Sequence, residues 1–295
     1  MARHILTIRE FGEDASWLIV QQALGMPDPK MQTDFMTERV ALLIFTQPSL
    51  PERLCVSAAV RQMGGAVIYE GSLGLWHSEM DEFQDQLIPI FSTFINCLYT
   101  YGLPITDIER KMAEALDFPV INAGSPGAHP AHALADIACM LRNSRNLQSV
   151  TCACVGCING SLLSLVEATA WFPFALRVAL PQSVDPSPIK EAISRLGTNI
   201  TLLETPEEAV SGANYVMAGC RGNLTGEELA RWQLTRALMA KAESNARVML
   251  SASPVRAIHV DKDIMAGKNS LLQQQAEHRL RVHKRMLHWV FLDNE

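Results

Sequence analysis

Short apolar runs alternate with amphipathic helical stretches along this chain, and the pattern restarts near residue 149. In the first half, VALLIF (40–45) and FPVINAG (118–124) have the composition of buried strands, and helical stretches lie between them. In the second half, SVTCACVGC (149–157) and FALRVALPQ (174–182) repeat the arrangement. Strands that alternate with helices pair in parallel, and the helices cover both faces of the sheet. The sequence therefore predicts an α/β fold of two doubly wound parallel-sheet units.

Two long helical stretches set the predicted domain organisation. HPAHALADIACMLRN (129–143) joins the two units, and SLLQQQAEHRLRVHKRMLHWVF (270–291) predicts one long closing helix. We therefore expect an N-terminal domain over residues 1–142, completed by the C-terminal helical segment 270–295, and a C-terminal domain over residues 143–269.

Composition and charge exclude several classes of partner. The 295 residues are 48% hydrophobic, which allows sizeable cores, and the net charge of −6 provides no overall basic field for nucleic acid. Basic residues do concentrate in RLRVHKRML (279–287), where a solvated helix face is the simplest interpretation. The start, MARHILTIREFGED, lacks the apolar stretch of a signal peptide, and no apolar run has the length of a membrane span. The chain has seven cysteines, an odd number, which favours reduced thiols. We therefore expect a cytoplasmic protein with neither a nucleic-acid nor a membrane partner.

FTQPSLPERL (45–54) predicts the end of a strand, a turn and the start of a helix. Ser49 and Glu52 have the S-x-x-E spacing of a capping box. The free N–H groups at a helix N-terminus also bind anions, but Glu52 places a carboxylate at the same point. The stretch is therefore a phosphate cradle, a former cradle or only a helix cap.

His129, His132 and Asp136 are spaced i, i+3 and i+7 and would share one face of a helix. Imidazole and carboxylate are ordinary metal ligands, but local hydrogen bonds made by His132 and Asp136 explain the pattern more simply. His129 lies in a Gly/Pro-rich approach to a helix N-terminus, where an imidazole can donate a hydrogen bond to a bound carbonyl.

VGCING (155–160) follows a predicted strand and precedes a helix. It lacks the G-x-G-x-x-G spacing of a dinucleotide site, although loops at the carboxyl ends of parallel strands often bind ligands. Cys152, Cys154 and Cys157 have no second C-x-x-C or histidine pair nearby, so buried thiols are a simpler interpretation than a zinc site.

Three stretches together resemble the aspartate and ornithine carbamoyltransferase family, in the order and spacing of that family. HPAHALADIACML is similar to its H-P-x-Q-A-L-A-D helix start, and RVALPQSVDPSP with ETPEEAVSGANYV is similar to its second-domain stretch. DKDIMAGKNSLLQQQAEHRLRVHKRMLHWVF resembles its closing segment, where D-Q-A-E-N-R-L is typical. The resemblance covers nearly the whole chain and implies the two-domain fold, an amino-acid-like substrate and a homotrimer.

The family transfers the carbamoyl group of carbamoyl phosphate to the amine of an amino acid, and phosphate leaves. Its S-T-R-T-R phosphate loop falls on Ser49-Leu50-Pro51-Glu52-Arg53, where only the serine and the last arginine are kept. Pro51 removes a charge-assisted phosphate contact, and Glu52 adds a carboxylate that repels phosphate. The resemblance thus implies a former cradle.

Other positions of the family have changed as well. An arginine falls on Tyr101, the glutamine after the catalytic histidine falls on His132, and the H-C-L-P loop falls on residues 251–254. The amino-acid-binding loop, D-x-W-x-S-M-G, corresponds to AGCRGNLTG (218–226), which shares nothing diagnostic with it. The kept positions are Ser49, Arg53, His129, Asn159, Pro254 and Arg279.

The resemblance and its departures imply a set of site residues. We expect catalytic roles for His129, Arg279 and Glu52, with Glu52 as a general base or as the partner of a cationic substrate group, and with a pure capping glutamate as the equal alternative. The expected substrate-binding residues are Ser49, Arg53, Tyr101, His132, Asn159, Ser253 and Arg256. We expect no metal and no other cofactor.

The loss of hydrogen-bond donors to phosphate and to the oxyanion predicts a loss of carbamoyl transfer activity. Losing one oxyanion or phosphate donor commonly costs about 3–4 kcal/mol of transition-state stabilisation. Several losses predict that ordinary aspartate or ornithine carbamoyltransferase activity is absent, unless the phosphate ligands have moved elsewhere. The chain is then either a transferase with an altered donor or substrate, which binds an amino-acid-like molecule in the cleft between its domains, or a non-catalytic homologue that acts as a sensor or partner subunit.

Overall fold

The computed structural model describes residues 2–70, 88–103, 110–197, 199–251 and 257–292. By its internal contacts the chain divides into two compact units. Unit 1 contains Met1–Ala131 and His278–Glu295, and unit 2 contains His132–Glu277. The domain boundaries expected at residues 142 and 269 stay a prediction.

The strands of unit 1 are β1 (Val40–Phe45), β2 (Ala66–Glu70), β3 (Cys97–Tyr101) and β4 (Val120–Asn122). They form one parallel sheet with the order β2–β1–β3–β4. The helices of unit 1 are a 3₁₀ helix (Ile8–Phe11), α1 (Gly12–Gly25), α2 (Leu50–Gln62), α3 (Ile88–Phe94) and α4 (Arg110–Ala115). Every residue of β1 after Val40 is buried, as expected of an inner parallel strand that is covered on both faces.

The boundaries between the two units fall within two further helices, so each of these helices has residues in both units. They are α5 (Pro130–Asn143) and α12 (Leu272–Phe291). Both were expected from the sequence as long helices.

The strands of unit 2 are β5 (Thr151–Val155), β6 (Ala175–Ala179), β7 (Ile200–Leu203), β8 (Tyr215–Ala218) and β9 (Arg247–Leu250). They form a second parallel sheet with the order β7–β6–β5–β8–β9. Its helices are α6 (Gly160–Ala168), α7 (Ser187–Leu196), α8 (Pro206–Val210), α9 (Gly226–Arg231), α10 (Arg236–Met239) and α11 (Lys262–Met265). The core of this unit combines mostly aliphatic residues with a few aromatic ones, such as Trp232, Phe172 and Tyr215.

The predicted fold class is confirmed, with two doubly wound parallel sheets. The strand expected over residues 118–124 is shorter, because the chain turns at Gly124, where φ is +141°. None of the described helices combines the length and apolar character that crossing a bilayer requires.

Candidate functional site

The N-terminus of α2 follows the inner strand β1 directly. Ser49 is the N-cap residue, and Pro51 lies in the first turn, where its missing N–H leaves no helical bond unmade. Within the part of the chain that the structure describes, the Ser49 hydroxyl forms no capping hydrogen bond, so the predicted capping box is wrong. The same spacing does close a capping box at Thr7–Glu10 and at Thr205–Glu208. At the start of α2, the Glu52 side chain is instead buried, with 4% of the residue exposed.

Glu52 and His129 form a buried pair in unit 1. The Oε2 atom of Glu52 lies 3.7 Å from the Nε2 atom of His129, and their side chains are 5% and 8% exposed. This separation makes an electrostatic contact, which protonation of the imidazole would strengthen. Two of the three predicted catalytic residues are therefore brought together. A carboxylate beside an imidazole can orient the ring and stabilise a positive charge on it.

The loop between β4 and α5 fixes the position of His129. The Nδ2 atom of Asn122 donates to the carbonyl of Ala128 at 3.2 Å, and its Oδ1 atom accepts from the N–H of Gly124 at 2.8 Å. The hydroxyl of Ser125 accepts from the N–H of Ala128 at 3.0 Å. These bonds hold the backbone that leads into His129 from both sides of the turn. The polar side chains of the loop are therefore positioning residues.

Gly124 allows the imidazole to approach the sheet. A Cβ atom at this position would lie 2.7 Å from Nε2 of His129 and 2.8 Å from Cε2 of Tyr101. Glycine is therefore required here both for its backbone angle and for the space that it leaves. Sequence reasoning missed this loop as a positioning element, although V-I-N-A-G at the end of a predicted strand carries an ordinary turn signal.

Several aromatic side chains lie together at the carboxyl ends of the strands of unit 1. Tyr101 stacks on Phe45, with ring centroids 5.0 Å apart, and meets the edge of His129 at 6.4 Å. The guanidinium carbon of Arg53 lies 4.7 Å from the centre of the Tyr69 ring, a cation–π contact. Tyr101 and Arg53, both predicted to bind substrate, thus lie at the same end of the sheet as His129.

Arg279 of α12 acts on the same buried groups as Glu52, namely His283 and Cys55. Burial lowers the pKa of His283 to about 4, with the Arg279 guanidinium assisting the shift and the Glu52 carboxylate opposing it. Burial also raises the pKa of the Cys55 thiol, which Glu52 raises further and Arg279 lowers. Arg279, the third predicted catalytic residue, therefore lies within electrostatic reach of the groups around Glu52. His283 was not predicted.

The basic stretch 279–287 is buried, so the predicted solvated helix face is wrong. Arg281 and Lys284 are 4% and 2% exposed. The Nζ atom of Lys284 donates hydrogen bonds to the carbonyls of Pro29 and Met31 at 2.8 and 2.6 Å. These bonds offset the cost of removing the ammonium group from water. The number of basic residues in this stretch gave no indication that it packs inside unit 1.

In unit 2, the strand order reverses at β5, and open α/β sheets bind ligands beyond the carboxyl ends of strands at such a point. Asn159 caps α6 at this end of the sheet, because its Oδ1 atom accepts from the N–H of Leu162 at 2.8 Å. Its Nδ2 atom donates to the carbonyl of Ser251 at 3.2 Å, which ties the loop after β5 to the end of β9. Ser253 and Arg256, also predicted to bind substrate, lie outside the described residues.

His132 and Asp136 do form hydrogen bonds, but with partners that are distant in the sequence, so the prediction that these bonds are local is wrong. Nδ1 of His132 lies 3.0 Å from the hydroxyl of Ser161. Oδ1 of Asp136 accepts from Nε2 of Gln275 at 2.7 Å, and the same amide group also bonds the backbone of Leu250. Asp136 therefore serves the packing of unit 2, and the predicted substrate role of His132 competes with its bond to Ser161.

The cysteines of β5 are buried as expected. Cys152 and Cys154 are 0% and 1% exposed, and burial raises the pKa of both thiols. Cys157, in the following loop, is also buried, but it lies against Cys220, which the sequence did not single out. The two residues are 63 positions apart, so no local motif connects them.

Comparison with families of known proteins matches both halves of the chain. Residues 3–142 match the family described as aspartate/ornithine carbamoyltransferase, carbamoyl-P binding domain. Residues 148–290 match the one described as aspartate/ornithine carbamoyltransferase, Asp/Orn binding domain.

Individual proteins give the same result over full length. The chain is 28% identical to ornithine carbamoyltransferase of Nitratidesulfovibrio vulgaris, over 99% of this chain and 100% of that protein. It is 29% identical to ornithine carbamoyltransferase of Oleidesulfovibrio alaskensis, over 98% of this chain and 99% of that protein.

Solved structures share the fold. The crystal structure of ornithine carbamoyltransferase from Thermus thermophilus superposes with a TM-score of 0.84 at 22% identity, covering 98% of this chain and 99% of that one. A mitochondrial ornithine carbamoyltransferase from Coccidioides immitis gives a TM-score of 0.85 at 23% identity, with 98% of each chain covered. At this level of identity the likeness concerns the fold alone.

Proposed function

Because the chain belongs to the aspartate/ornithine carbamoyltransferase family, we propose that it is a transferase of that family with an altered donor or substrate. It binds a small amino-acid-like molecule, and it does not carry out ordinary carbamoyl transfer from carbamoyl phosphate to aspartate or ornithine. The names of its relatives, ornithine carbamoyltransferases, support the amino-acid class of the acceptor.

One observation carries the proposal: the buried Glu52 carboxylate lies at the first turn of α2, 3.7 Å from Nε2 of His129. The family resemblance assigns this helix start to the phosphate of the donor. A carboxylate here uses the favourable field of the helix N-terminus that a phosphate would otherwise use.

Electrostatics oppose the binding of phosphate at this point. Two unit charges 4 Å apart interact by about 4 kcal/mol at an effective dielectric constant of about 20. A phosphate seated against Glu52 would experience a repulsion of this order. Pro51 adds to the loss, because it replaces the arginine that the family motif places in the same turn.

A neutral or cationic group suits this position better than an anion. Glu52 can accept a hydrogen bond or a proton from an amine, and His129 beside it can donate to a carbonyl oxygen. Arg279, which acts on the same buried groups as Glu52, supplies the remaining positive charge. These roles describe a transferase site in which the Glu52 carboxylate occupies the position that the family uses for phosphate.

A second candidate, a non-catalytic homologue that acts as a sensor or partner subunit, is supported by a different observation. Two of the residues kept from the family motifs have partners within their own unit. Arg53 lies over Tyr69, and Asn159 caps α6 and bonds Ser251. Side chains engaged in this way stabilise the fold without any turnover.

The proposed assembly is the homotrimer that the resemblance implies. Exposed apolar side chains on α2 and β2 support self-association: Leu50 and Leu54 are each 58% exposed, and Ile68 and Tyr69 are 49% and 42% exposed. Exposed side chains of this size and type are ones that a subunit contact would cover.

A thermal-shift panel tests the proposed function. The purified chain is titrated with carbamoyl phosphate, phosphate, ornithine, aspartate and neutral or cationic amino-acid analogues. A ligand that binds only the native state at about 100 times its Kd adds about 2.7 kcal/mol of stability. We expect a rise in Tm with an amino-acid-like ligand and none with millimolar carbamoyl phosphate.

The outcomes separate the candidates. A clear rise in Tm with carbamoyl phosphate would show a working donor site and overturn the proposal in favour of an ordinary carbamoyltransferase. If an amino-acid ligand binds but no covalent product forms with any carbonyl or phosphoryl donor offered, the non-catalytic homologue is the better account.

A further inference from the structure

We propose that Cys157 and Cys220 form a dithiol site that closes to a disulfide when a hydroperoxide or a small-molecule disulfide oxidises it. The site lies in unit 2, and the inference does not rest on the proposed function.

The backbones of the two cysteines are paired. Cys157 and Cys220 form an antiparallel bridge, in which the N–H of Cys157 donates to the carbonyl of Cys220 at 2.9 Å. Residues that face each other in antiparallel pairs have Cα atoms about 4.5–5.5 Å apart. A disulfide needs a Cα separation of about 4.4–6.8 Å, and the usual separation of an antiparallel pair falls within that range.

The side chain of each cysteine reaches across to the segment that carries the other. The Sγ atom of Cys220 donates to the carbonyl of Cys157 at 3.2 Å, and the Sγ atom of Cys157 donates to the carbonyl of Arg221 at 3.3 Å. Each sulfur therefore lies over the backbone of the opposite segment.

Glycines bring the two segments together. A Cβ atom added at Gly156 would lie 3.1 Å from the Cα of Gly219, and one added at Gly222 would lie 2.8 Å from the Sγ of Cys157. Gly222 has a φ of +55°, so it also supports the turn that wraps Cys157. The close approach is thus built from the residues on either side of the two cysteines.

The electrostatics of the pair favour one reactive sulfur. The pKa of Cys220 is lowered, chiefly because the neighbouring Cys157 thiol can donate a hydrogen bond to a thiolate at Cys220, and also by the backbone of Gly222. The pKa of Cys157 is raised, because the same interaction favours its protonated form and because burial disfavours a thiolate. Cys220 is half-buried, whereas Cys157 is buried. Cys220 is therefore the attacking thiolate, and Cys157 is the resolving thiol.

The oxidation balances with a hydroperoxide as the oxidant. The Cys220 thiolate attacks the peroxide oxygen, the O–O bond breaks, and the sulfur becomes a sulfenic acid while the leaving oxygen takes up a proton to become water or an alcohol. The Cys157 sulfur then attacks the sulfenic sulfur, forming the S–S bond and releasing water. Two thiols lose two electrons in total, and the peroxide gains them. With a small-molecule disulfide, the Cys220 thiolate attacks one of its sulfurs, which breaks that S–S bond and releases one small thiol; the Cys157 sulfur then attacks the mixed disulfide at Cys220, which forms the protein disulfide and releases the second small thiol.

A disulfide between Cys157 and Cys220 would constrain two loops of unit 2. It would tie the segment after β8 to the loop after β5, which carries Asn159. These two loops lie at the carboxyl ends of the adjacent strands where the sheet order reverses. Oxidation is thus expected to stiffen the end of unit 2 at which open α/β sheets bind ligands.

Thiol mapping by mass spectrometry tests the site in the intact chain. The reduced protein is treated with hydrogen peroxide or oxidised glutathione, alkylated with iodoacetamide after unfolding, and digested. We expect two of the seven thiols to be lost, a peptide that links Cys157 to Cys220, and full recovery of both thiols with dithiothreitol. C220S and C157S should each abolish the link, and C154S, which alters a buried neighbour on β5, should keep it.

The measurement on the unaltered chain decides the matter even if a variant fails to fold. A link between Cys154 and Cys220, a stable glutathione adduct on Cys220 without a link, or retention of all seven alkylatable thiols would each overturn the proposal.

Discussion

The Nε2 atom of His129 lies 3.7 Å from a buried carboxylate, that of Glu52, in the first turn of α2. His129 directly precedes α5, and Glu52 lies in the first turn of α2. The N-termini of two helices therefore bring an imidazole and a carboxylate together. The pair combines a residue kept from the family motif with one that replaces a threonine of that motif. It is the clearest physical reason to expect altered chemistry.

Restoring the family residues in the first turn of α2 should restore anion binding. In the double variant P51R/E52T, a repelling carboxylate is removed and a guanidinium is added beside free helix N–H groups. We expect millimolar phosphate or carbamoyl phosphate to raise Tm in the variant but not in the unaltered chain. Thermal shift measures the difference.

A matched control for that experiment is E208T, which removes a glutamate from the same position of a real capping box. It should cost about 1 kcal/mol of stability and create no phosphate response. If P51R/E52T responds no better than E208T, the interpretation of the α2 start as a blocked cradle fails.

Gly124→Ala should disturb His129 directly. The added Cβ would lie 2.7 Å from the imidazole, and alanine is strained at a φ of +141°. We expect a loss of about 1–3 kcal/mol in the free energy of unfolding, measured by urea denaturation. Gly197→Ala is the control, because Gly197 also has a positive φ but faces open space among the described residues. Equal losses in the two variants would show that the contact with His129 is unimportant.

Acid should destabilise the chain through His283. Its pKa is about 4 in the folded state and 6.5 ordinarily, so between these values the unfolded state binds a proton that the folded state excludes. The stability contributed by the neutral imidazole is complete above about pH 6.5 and is lost as pH falls toward 4, by up to about 3 kcal/mol.

The variant H283Q isolates this effect. We expect the urea midpoint of H283Q to fall less steeply between pH 6.5 and 4 than that of the unaltered chain. H259Q alters an exposed histidine and should keep the original slope. A slope in H283Q that matches the original would assign the acid sensitivity to other groups.

Lys284→Met should loosen the segment before β1. The substitution keeps most of the apolar stem but removes two hydrogen bonds, to Pro29 and Met31, from a charged donor. We expect a loss of about 2 kcal/mol or more in unfolding free energy, together with faster proteolysis near residues 29–31. Lys268→Met, at an exposed lysine, should change neither quantity. Unchanged proteolysis in the Lys284 variant would contradict the anchoring role.

The sheets were predictable because their signals are local. VALLIF is an unbroken apolar run, and it coincides with β1, which is buried from its second residue onward. The long helices α5 and α12 were equally clear, since their apolar positions recur at helical spacing. The hydrogen bonds of His132 and Asp136 could not be located in the same way, because their partners, Ser161 and Gln275, are distant in the sequence.

The incorrect predictions share a physical cause, because each depends on what packs against the residue. The S-x-x-E spacing at Ser49 fits a capping box, yet the Glu52 side chain is buried beside His129. The basic run 279–287 fits a solvated face, yet Lys284 finds two carbonyls more than 250 positions away in the sequence. The burial of Cys157 was predicted correctly, but its contact with Cys220 was missed, because the two meet through the pairing of β5 with β8 in the sheet. Such contacts are properties of the tertiary fold.

Unit 1 is built from two separate stretches of sequence, Met1–Ala131 and His278–Glu295, on either side of unit 2. Domains usually fold in the order of their synthesis, the N-terminal one first. Here the ribosome makes most of unit 1 first, but the residues that complete it, including Lys284 and His283, emerge last. Unit 2 is continuous in sequence and can finish folding while its neighbour still waits for α12. The unit that begins the chain is therefore the last to be completed.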